Sequence, residues 1–154
     1  MMKRRIYTDT SAIGGCLDEE FAVPSTRLFQ RFEGGGDLLV LSDLTRLELE
    51  RAAEAVRALI DRLPQAAIEE VRLTPEALEL AEQYLAAKVI GPGSLLDAQH
   101  IATATVHRVD VLVSWNFKHI VNINRIQGYN SVNLRLGYPL LEIRTPREVI
   151  PDED

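Results

Sequence analysis

Short apolar runs alternate along this chain with longer amphipathic ones, and that alternation sets the first expectation of the fold. Strands are predicted at about Arg4–Thr8, Leu38–Leu41, Val111–Ser114 and Leu140–Ile143, with a weaker candidate at Glu70–Leu73. Each is short and apolar, as strands buried on both faces of a parallel sheet are. Between them, polar punctuation marks helices. Ser42 offers an N-cap to a helix from Asp43 to about Arg62, which stops before Pro64. Thr74-Pro75-Glu76 supplies a cap, a proline at the first helical position and an acid in the first turn, opening a helix to about Val89. Gly91-Pro92-Gly93 breaks the chain, and Ser94 caps a further helix to about Arg108. Gly34-Gly35-Gly36 reads as a loop between two elements. The alternation predicts an α/β domain, a small parallel sheet flanked by helices on both faces and joined by right-handed crossovers. In such sheets chemistry collects beyond the carboxyl ends of the strands.

Asp9 stands at such an end, closing Arg5-Ile6-Tyr7-Thr8-Asp9-Thr10-Ser11. Alone, an Asp there forms an Asx turn or caps the following helix. A haloacid-dehalogenase phosphatase also begins with a strand and an Asp, but it needs a second Asp where this chain has Ser11. Glu48 is more informative. On a helix at roughly 100° per residue, Leu44, Ala52, Ala55, Val56, Leu59 and Leu63 share one arc, and Glu48 falls inside it. Asp43, Glu50, Glu54 and Asp61 gather on the far side, with Arg46 and Arg57 beside them. A lone buried carboxylate is costly unless it is paired or coordinates a metal. The competing account is a capping box, Thr45-x-x-Glu48, although Ser42 is the better-placed cap. Asp97 sits in Ser94-x-x-Asp97, another capping-box pattern, and a first-turn residue can hold both roles. His100, one turn on, is expected beside Asp97 as a hydrogen-bonded structural residue or a carboxylate orienter.

Three oxygen acids from separate elements suit a hard cation, Mg²⁺ or Mn²⁺. Brought together they repel one another, which raises their pKa values until a cation neutralises them. Such a cluster serves phosphoryl chemistry. His100 and His107 lack the partners and spacing of a zinc site.

Composition narrows the picture. The length of 154 residues predicts one domain over residues 1–150 and an acidic tail at 151–154. The longest apolar runs are too short to span a bilayer, and the N-terminus lacks the apolar region of a signal peptide. Cys16 is the only cysteine, so no internal disulfide forms and the cytoplasm is the expected compartment. A net charge of −6 argues against holding nucleic acid by bulk electrostatics. The acidic cluster accounts for part of that charge, and a bound cation inverts the local field. Lys3, Arg4, Arg5, Lys118, Arg125 and Arg135 remain as a candidate phosphate-facing rim. Four Phe, four Tyr and one Trp are too few to suggest an aromatic platform for stacking bases. No G-x-G-x-x-G follows the first strand, which excludes a nucleotide-binding Rossmann domain.

Four ordered segments carry a resemblance. Tyr7-Thr8-Asp9-Thr10-Ser11, Ser42-Asp43-Leu44-Thr45-Arg46-Leu47-Glu48-Leu49, Leu96-Asp97-Ala98-Gln99-His100-Ile101-Ala102-Thr103-Ala104 and Val113-Ser114-Trp115-Asn116 resemble the PIN-domain ribonucleases, including VapC-like toxins of type II toxin–antitoxin pairs. The resemblance implies a small parallel sheet between helices, Mg²⁺ or Mn²⁺, and hydrolysis of RNA phosphodiesters. It places Asp9, Glu48 and Asp97 at the family's three principal acidic positions, with Thr10, Ser11 and His100 in support. Asn116 takes the fourth acidic position without a charge, or simply caps a helix starting near Phe117. Ser114 replaces the usual threonine and keeps a hydroxyl. Trp115-Asn116-Phe117-Lys118-His119-Ile120 is similar to one subgroup; Lys118 and His119 either reach phosphate or belong to a solvated helix start. The stretch from Asn124 to Pro146 is expected to form the final helix and edge strand. The resemblance also implies an antitoxin arm that sets an Arg or Lys against the acids, and a homodimer through the helices between Asp43 and Val89. The alternative function is a catalytically weak PIN-fold module that binds RNA or a protein.

Overall fold

A computed structural model describes residues 3–151, so the acidic tail at 152–154 lies outside the described residues. Its centre is a five-stranded sheet, all parallel, in the order β3-β2-β1-β4-β5. The strands are β1 (Arg4–Thr8), β2 (Asp37–Ser42), β3 (Ile68–Val71), β4 (Val111–Val113) and β5 (Ile143–Arg144). Successive strand residues face opposite sides of a sheet, and here both sides are buried. Tyr7, Val40, Leu112 and Ile143 enter one core; Ile6, Leu39, Leu41, Val111 and Val113 enter the other.

Eight α-helices lie among the described residues: α1 (Thr10–Gly14), α2 (Ala22–Glu33), α3 (Asp43–Glu50), α4 (Glu54–Asp61), α5 (Pro75–Ala86), α6 (Leu95–Val106), α7 (Ile123–Arg135) and α8 (Pro146–Val149). The Tyr7 core is closed by α5, α6 and α7 through Leu80, Tyr84, Ile101, Tyr129 and Val132. Ala77 and Ala81 of α5, with Ala98 and Ala102 of α6, are fully buried at four-residue spacing, which lets these packed helices approach closely. The Ile6 core is closed by α1, α2 and α4, with Ile13, Leu28, Phe29, Phe32 and Ile60. No helix among the described residues is long and apolar enough to cross a membrane.

The predicted helix from Asp43 to Arg62 is two helices. The chain breaks after Glu50, and Ala53 adopts an extended conformation before α4. Arg57 folds back on the break, its guanidinium donating to the carbonyls of Leu49, Glu50 and Ala52. One side chain thus satisfies carbonyls that the end of α3 leaves open. The last strand is shorter and later than Leu140–Ile143, because the Asn130 amide occupies both backbone groups of Leu141. Strand β3 precedes the Glu70–Leu73 expectation; the Leu73 N–H is taken by the Asp43 carboxylate at 2.9 Å. Residues 117–120 form a turn, and the next helix begins at Ile123.

The connectivity fixes where a site belongs. β1 pairs with β2 on one side and with β4 on the other. The chain therefore departs from β1 in one direction and later returns on its opposite side. The carboxyl ends of β1 and β4 bound the crevice at that reversal.

Candidate active site

Asp9 follows β1 directly and caps α1: its Oδ1 accepts the Ala12 N–H at 2.9 Å and the Ser11 hydroxyl at 2.7 Å. Its Oδ2 accepts the Ser114 hydroxyl at 2.5 Å, across the crevice from the end of β4. The cap and the crevice position thus coexist in one side chain, which is only 5% exposed. Burial pushes the Asp9 pKa up, and the hydrogen bonds from Ser114, Ser11 and Ala12 and the nearby His100 charge do not fully offset it.

Asp37 is a useful contrast within the same molecule. It is also buried, at 1% exposure, but it lies at the amino end of β2 with Arg4 at 2.9 Å and Arg31 at 2.6 Å. Burial pushes its pKa up, and the two guanidinium groups overcome that and hold it below the ordinary value. Asp9 has only neutral hydrogen-bond donors among the described residues.

Glu48 projects from α3, whose start is capped by Ser42 accepting the Thr45 N–H at 3.0 Å. The Thr45-x-x-Glu48 capping box therefore does not form. The Glu48 carboxylate, 31% exposed, instead accepts the Thr10 hydroxyl at 2.9 Å and meets His100 Nε2 at 2.7 Å. Burial raises its pKa, but the hydrogen bond and charge of His100, with the Thr10 hydrogen bond, outweigh this and hold it below the usual range. His100 is 3% exposed and continues inward, its Nδ1 lying 2.6 Å from the Tyr7 hydroxyl, which is 2.8 Å from Ser42 Oγ. An ionised carboxylate cannot donate, so His100 Nε2–H donates to Glu48. His100 thus orients a carboxylate, but that carboxylate is Glu48 rather than Asp97.

Asp97 lies in the first turn of α6, yet Ser94 makes no capping hydrogen bond, since a short 3₁₀ turn at Pro92–Ser94 leads into the helix. The Asp97 carboxylate turns to Asn116 Nδ2 at 3.4 Å and to His119 Nδ1 at 3.0 Å. Asn116 also caps the turn after it, its Oδ1 accepting the N–H groups of Lys118 and His119. Its own N–H donates to Ser114 Oγ at 2.9 Å.

Asp9, Asp97 and Asn116 are thereby joined by one hydrogen-bonded network through Ser114, and Glu48 belongs to a second, which runs through Thr10, His100, Tyr7 and Ser42. Even so, no group of three or more His, Cys, Asp or Glu among the described residues is placed to hold a metal ion as it stands. Glu48 and Asp97 are each turned onto a histidine. Of the basic rim, Arg4 and Arg5 lie at the opposite end of β1, tied to Asp37 and Glu69. Arg125 donates to the Val89 carbonyl, which leaves Lys118 as the cation nearest the site in sequence. Two residues of this second network were not expected at the site: Tyr7, and Ser42, which the sequence marks only as a helix cap. The signal for Tyr7 was available, since a buried tyrosine needs a partner for its hydroxyl.

Known proteins agree with this architecture. No curated protein matches the sequence. Several solved structures share the fold. The Mycobacterium tuberculosis toxin VapC20, described as cleaving the sarcin–ricin loop, superposes with a TM-score of 0.54 at 19% identity, covering 73% of this chain and 91% of that one. The VapBC2 structure from Rickettsia felis, bound to a DNA fragment from its promoter, gives a TM-score of 0.54 at 15% identity, covering 92% and 98%. The PIN domain family matches residues 6–118, a span that runs from β1 through α6 and β4 and takes in Asp9, Glu48, Asp97 and Asn116. This chain belongs to the PIN domain family.

Proposed function

We propose that this chain is a divalent-metal-dependent endoribonuclease that hydrolyses RNA phosphodiester bonds and acts in the cytoplasm as the toxin of a toxin–antitoxin pair. One observation carries the reading: Asp9 is buried at the crevice with neutral donors alone, while the equally buried Asp37 has two guanidinium groups. A buried carboxylate with no cationic group in direct contact is unfavourable, and a cation entering the crevice would relieve it.

The donor set fits a hard cation: carboxylate oxygens from Asp9, Asp97 and Glu48, while the Asn116 amide oxygen is engaged by the Lys118 and His119 N–H groups. When bound, Mg²⁺ or Mn²⁺ supplies Lewis acidity toward the phosphate and lowers the pKa of water. The residues around it hold the acids in place. Ser11 and Ser114 fix both oxygens of Asp9, and Thr10 and His100 fix Glu48. Asp97, held by His119 at 3.0 Å and Asn116 at 3.4 Å, would have to leave these contacts to hold the cation.

Family membership and the fold shared with VapC20 and VapBC2 support the toxin reading. A cytoplasmic ribonuclease must be held inactive, and an antitoxin arm bearing an Arg or Lys against Asp9, Glu48 and Asp97 would do so by competing with the cation. A homodimer through helices α3 to α5 completes the proposal. Asn116 supports a second reading, a weakly catalytic module that binds RNA or a protein, because it brings a neutral donor to Asp97 where a fourth carboxylate would add charge. The two separate on expression of the chain alone and together with its neighbouring gene, following growth and RNA integrity. Arrest with RNA breakage that the neighbour relieves and Asp97→Asn abolishes supports the toxin; harmless expression of intact chain favours the module.

A further inference from the structure

The acids leave unexplained a group of aromatic side chains beside them. Phe21 and Trp115 are stacked, with ring centroids 4.2 Å apart and planes 16° apart. Phe117 leans against both, at 6.2 Å and 6.1 Å. Trp115 is rigidly held. Its backbone N–H donates to Ser11 Oγ at 2.9 Å, the same hydroxyl that holds Asp9, and its indole N–H donates to Ser25 Oγ at 2.9 Å. Gly15 is required for this approach, since a Cβ there would stand 2.6 Å from the indole nitrogen. Phe117, by contrast, is 51% exposed.

Position gives this ring a use. It follows Asn116, whose amide reaches Asp97, and stands three residues after Ser114, which holds Asp9. Lys118 comes next; it is exposed, with no ion pair among the described residues. A planar ring on a fixed aromatic support, a neighbouring ammonium and a carboxylate crevice together match one nucleotide: base, phosphate and the bond to be broken. Such rings stack any base, while the lysine answers the phosphate charge.

We propose that Phe117 stacks the nucleobase flanking the scissile phosphate, with Lys118 against the adjoining phosphate. The substrate is then single-stranded or loop RNA, because bases within a duplex are stacked on each other and cannot be laid on a protein ring. This inference rests on the ribonuclease reading and adds the groups that position the substrate.

Trp115 is the only tryptophan, so its fluorescence reports a base arriving at Phe117. The experiment titrates single-stranded RNA, in EDTA at low salt, into the wild type, Phe117→Ala and Phe117→Tyr, reading affinity from the concentration dependence. Equal thermal midpoints of the three proteins establish that each is folded. Loss of one stacked base weakens binding by about 5- to 150-fold. Phe117→Ala should show that loss, Phe117→Tyr should retain affinity, and with Mg²⁺ the loss should fall on KM more than on kcat. The Phe117→Ala effect should disappear on an oligonucleotide made abasic at the stacked position. Wild-type binding that Phe117→Ala leaves unchanged overturns the stack alone. Unchanged RNA affinity with lost binding of the neighbouring gene's product assigns the ring to a protein partner and also overturns it. A wild type that neither responds to RNA nor cleaves it removes the ribonuclease reading, and the stack with it.

Discussion

Replacing Tyr7 with phenylalanine removes one oxygen from the middle of the Ser42–Tyr7–His100–Glu48 chain. The ring is fully buried, so water does not replace the lost partner. Two hydrogen bonds go, at 2.8 Å to Ser42 and 2.6 Å to His100, and His100 Nδ1 is left without a partner in surroundings where the imidazole is only 3% exposed. Each bond contributes about 1 kcal/mol net, and a stranded buried polar atom costs a further 1–3, so the expected loss is about 3–5 kcal/mol. For a chain of this size that corresponds to a fall in Tm of roughly 6–20 °C. His100 would also lose the contact that sets its ring, and Glu48 its orientation, so cleavage should fall as well. The control is Tyr84→Phe. Tyr84 is equally buried and donates to Asn133 Oδ1 at 2.5 Å, in the α5 and α7 core away from the acids. It should lose comparable stability and keep its activity. Urea denaturation and a cleavage assay on both variants decide the matter. A Tyr7→Phe loss below about 0.5 kcal/mol, or equal activity in the two variants, refutes the chain as an orienting device.

Asp9→Asn should stabilise the metal-free protein at neutral pH. Burial raises the Asp9 pKa, so its ionised form costs stability; that cost is absent below the ordinary carboxylate value and grows as pH rises through the folded value. The difference between variant and wild type in thermal melts should therefore vanish at acid pH, and a difference of the opposite sign at neutral pH would contradict the assignment. Asn116→Asp adds a carboxylate at 3.4 Å from Asp97 in place of a donor, and should tighten Mg²⁺ binding while lowering the metal-free Tm. Calorimetric titration with unchanged affinity would place Asn116 outside the site. Gly15→Ala drives a Cβ to 2.5 Å from Ser25 Oγ and 2.6 Å from the Trp115 indole, and should cost about 1–3 kcal/mol and shift Trp115 emission. Wild-type stability and emission would show that the Trp115 environment is not tightly packed.

Much of this was legible in the chain because it is local. The apolar run of β1 and the Asp that ends it need only neighbouring residues, and Ser42 is marked as a cap by the helical run after it. The break between α3 and α4 was hidden because the arc of Ala52, Ala55, Val56 and Leu59 runs through it; the deciding group is Arg57, reaching back to carbonyls. Helix α2 was missed although Leu28, Phe29 and Phe32 mark its buried face. Phe21 offers no side-chain cap, and Pro24, Ser25 and Thr26 are weak helix formers. The partners of the acids were the least accessible. His100 stands one turn from Asp97, yet its Nε2 meets Glu48, 52 residues away, because the sheet order brings α3 and α6 over the same crevice. Likewise, the aromatic residues are few in composition, but folding gathers Phe21, Trp115 and Phe117 at one place.

On this account the acids at the end of β1 and on α3 and α6, Asp9, Glu48 and Asp97, cleave RNA with a divalent cation. Purified wild type, Asp9→Asn and Asp97→Asn, incubated with a single-stranded RNA in Mg²⁺, Mn²⁺ or EDTA, test it directly. The expected result is cleavage by the wild type with either metal, none in EDTA, and none by either folded variant. Cleavage that persists in EDTA, or that survives both substitutions, would contradict it.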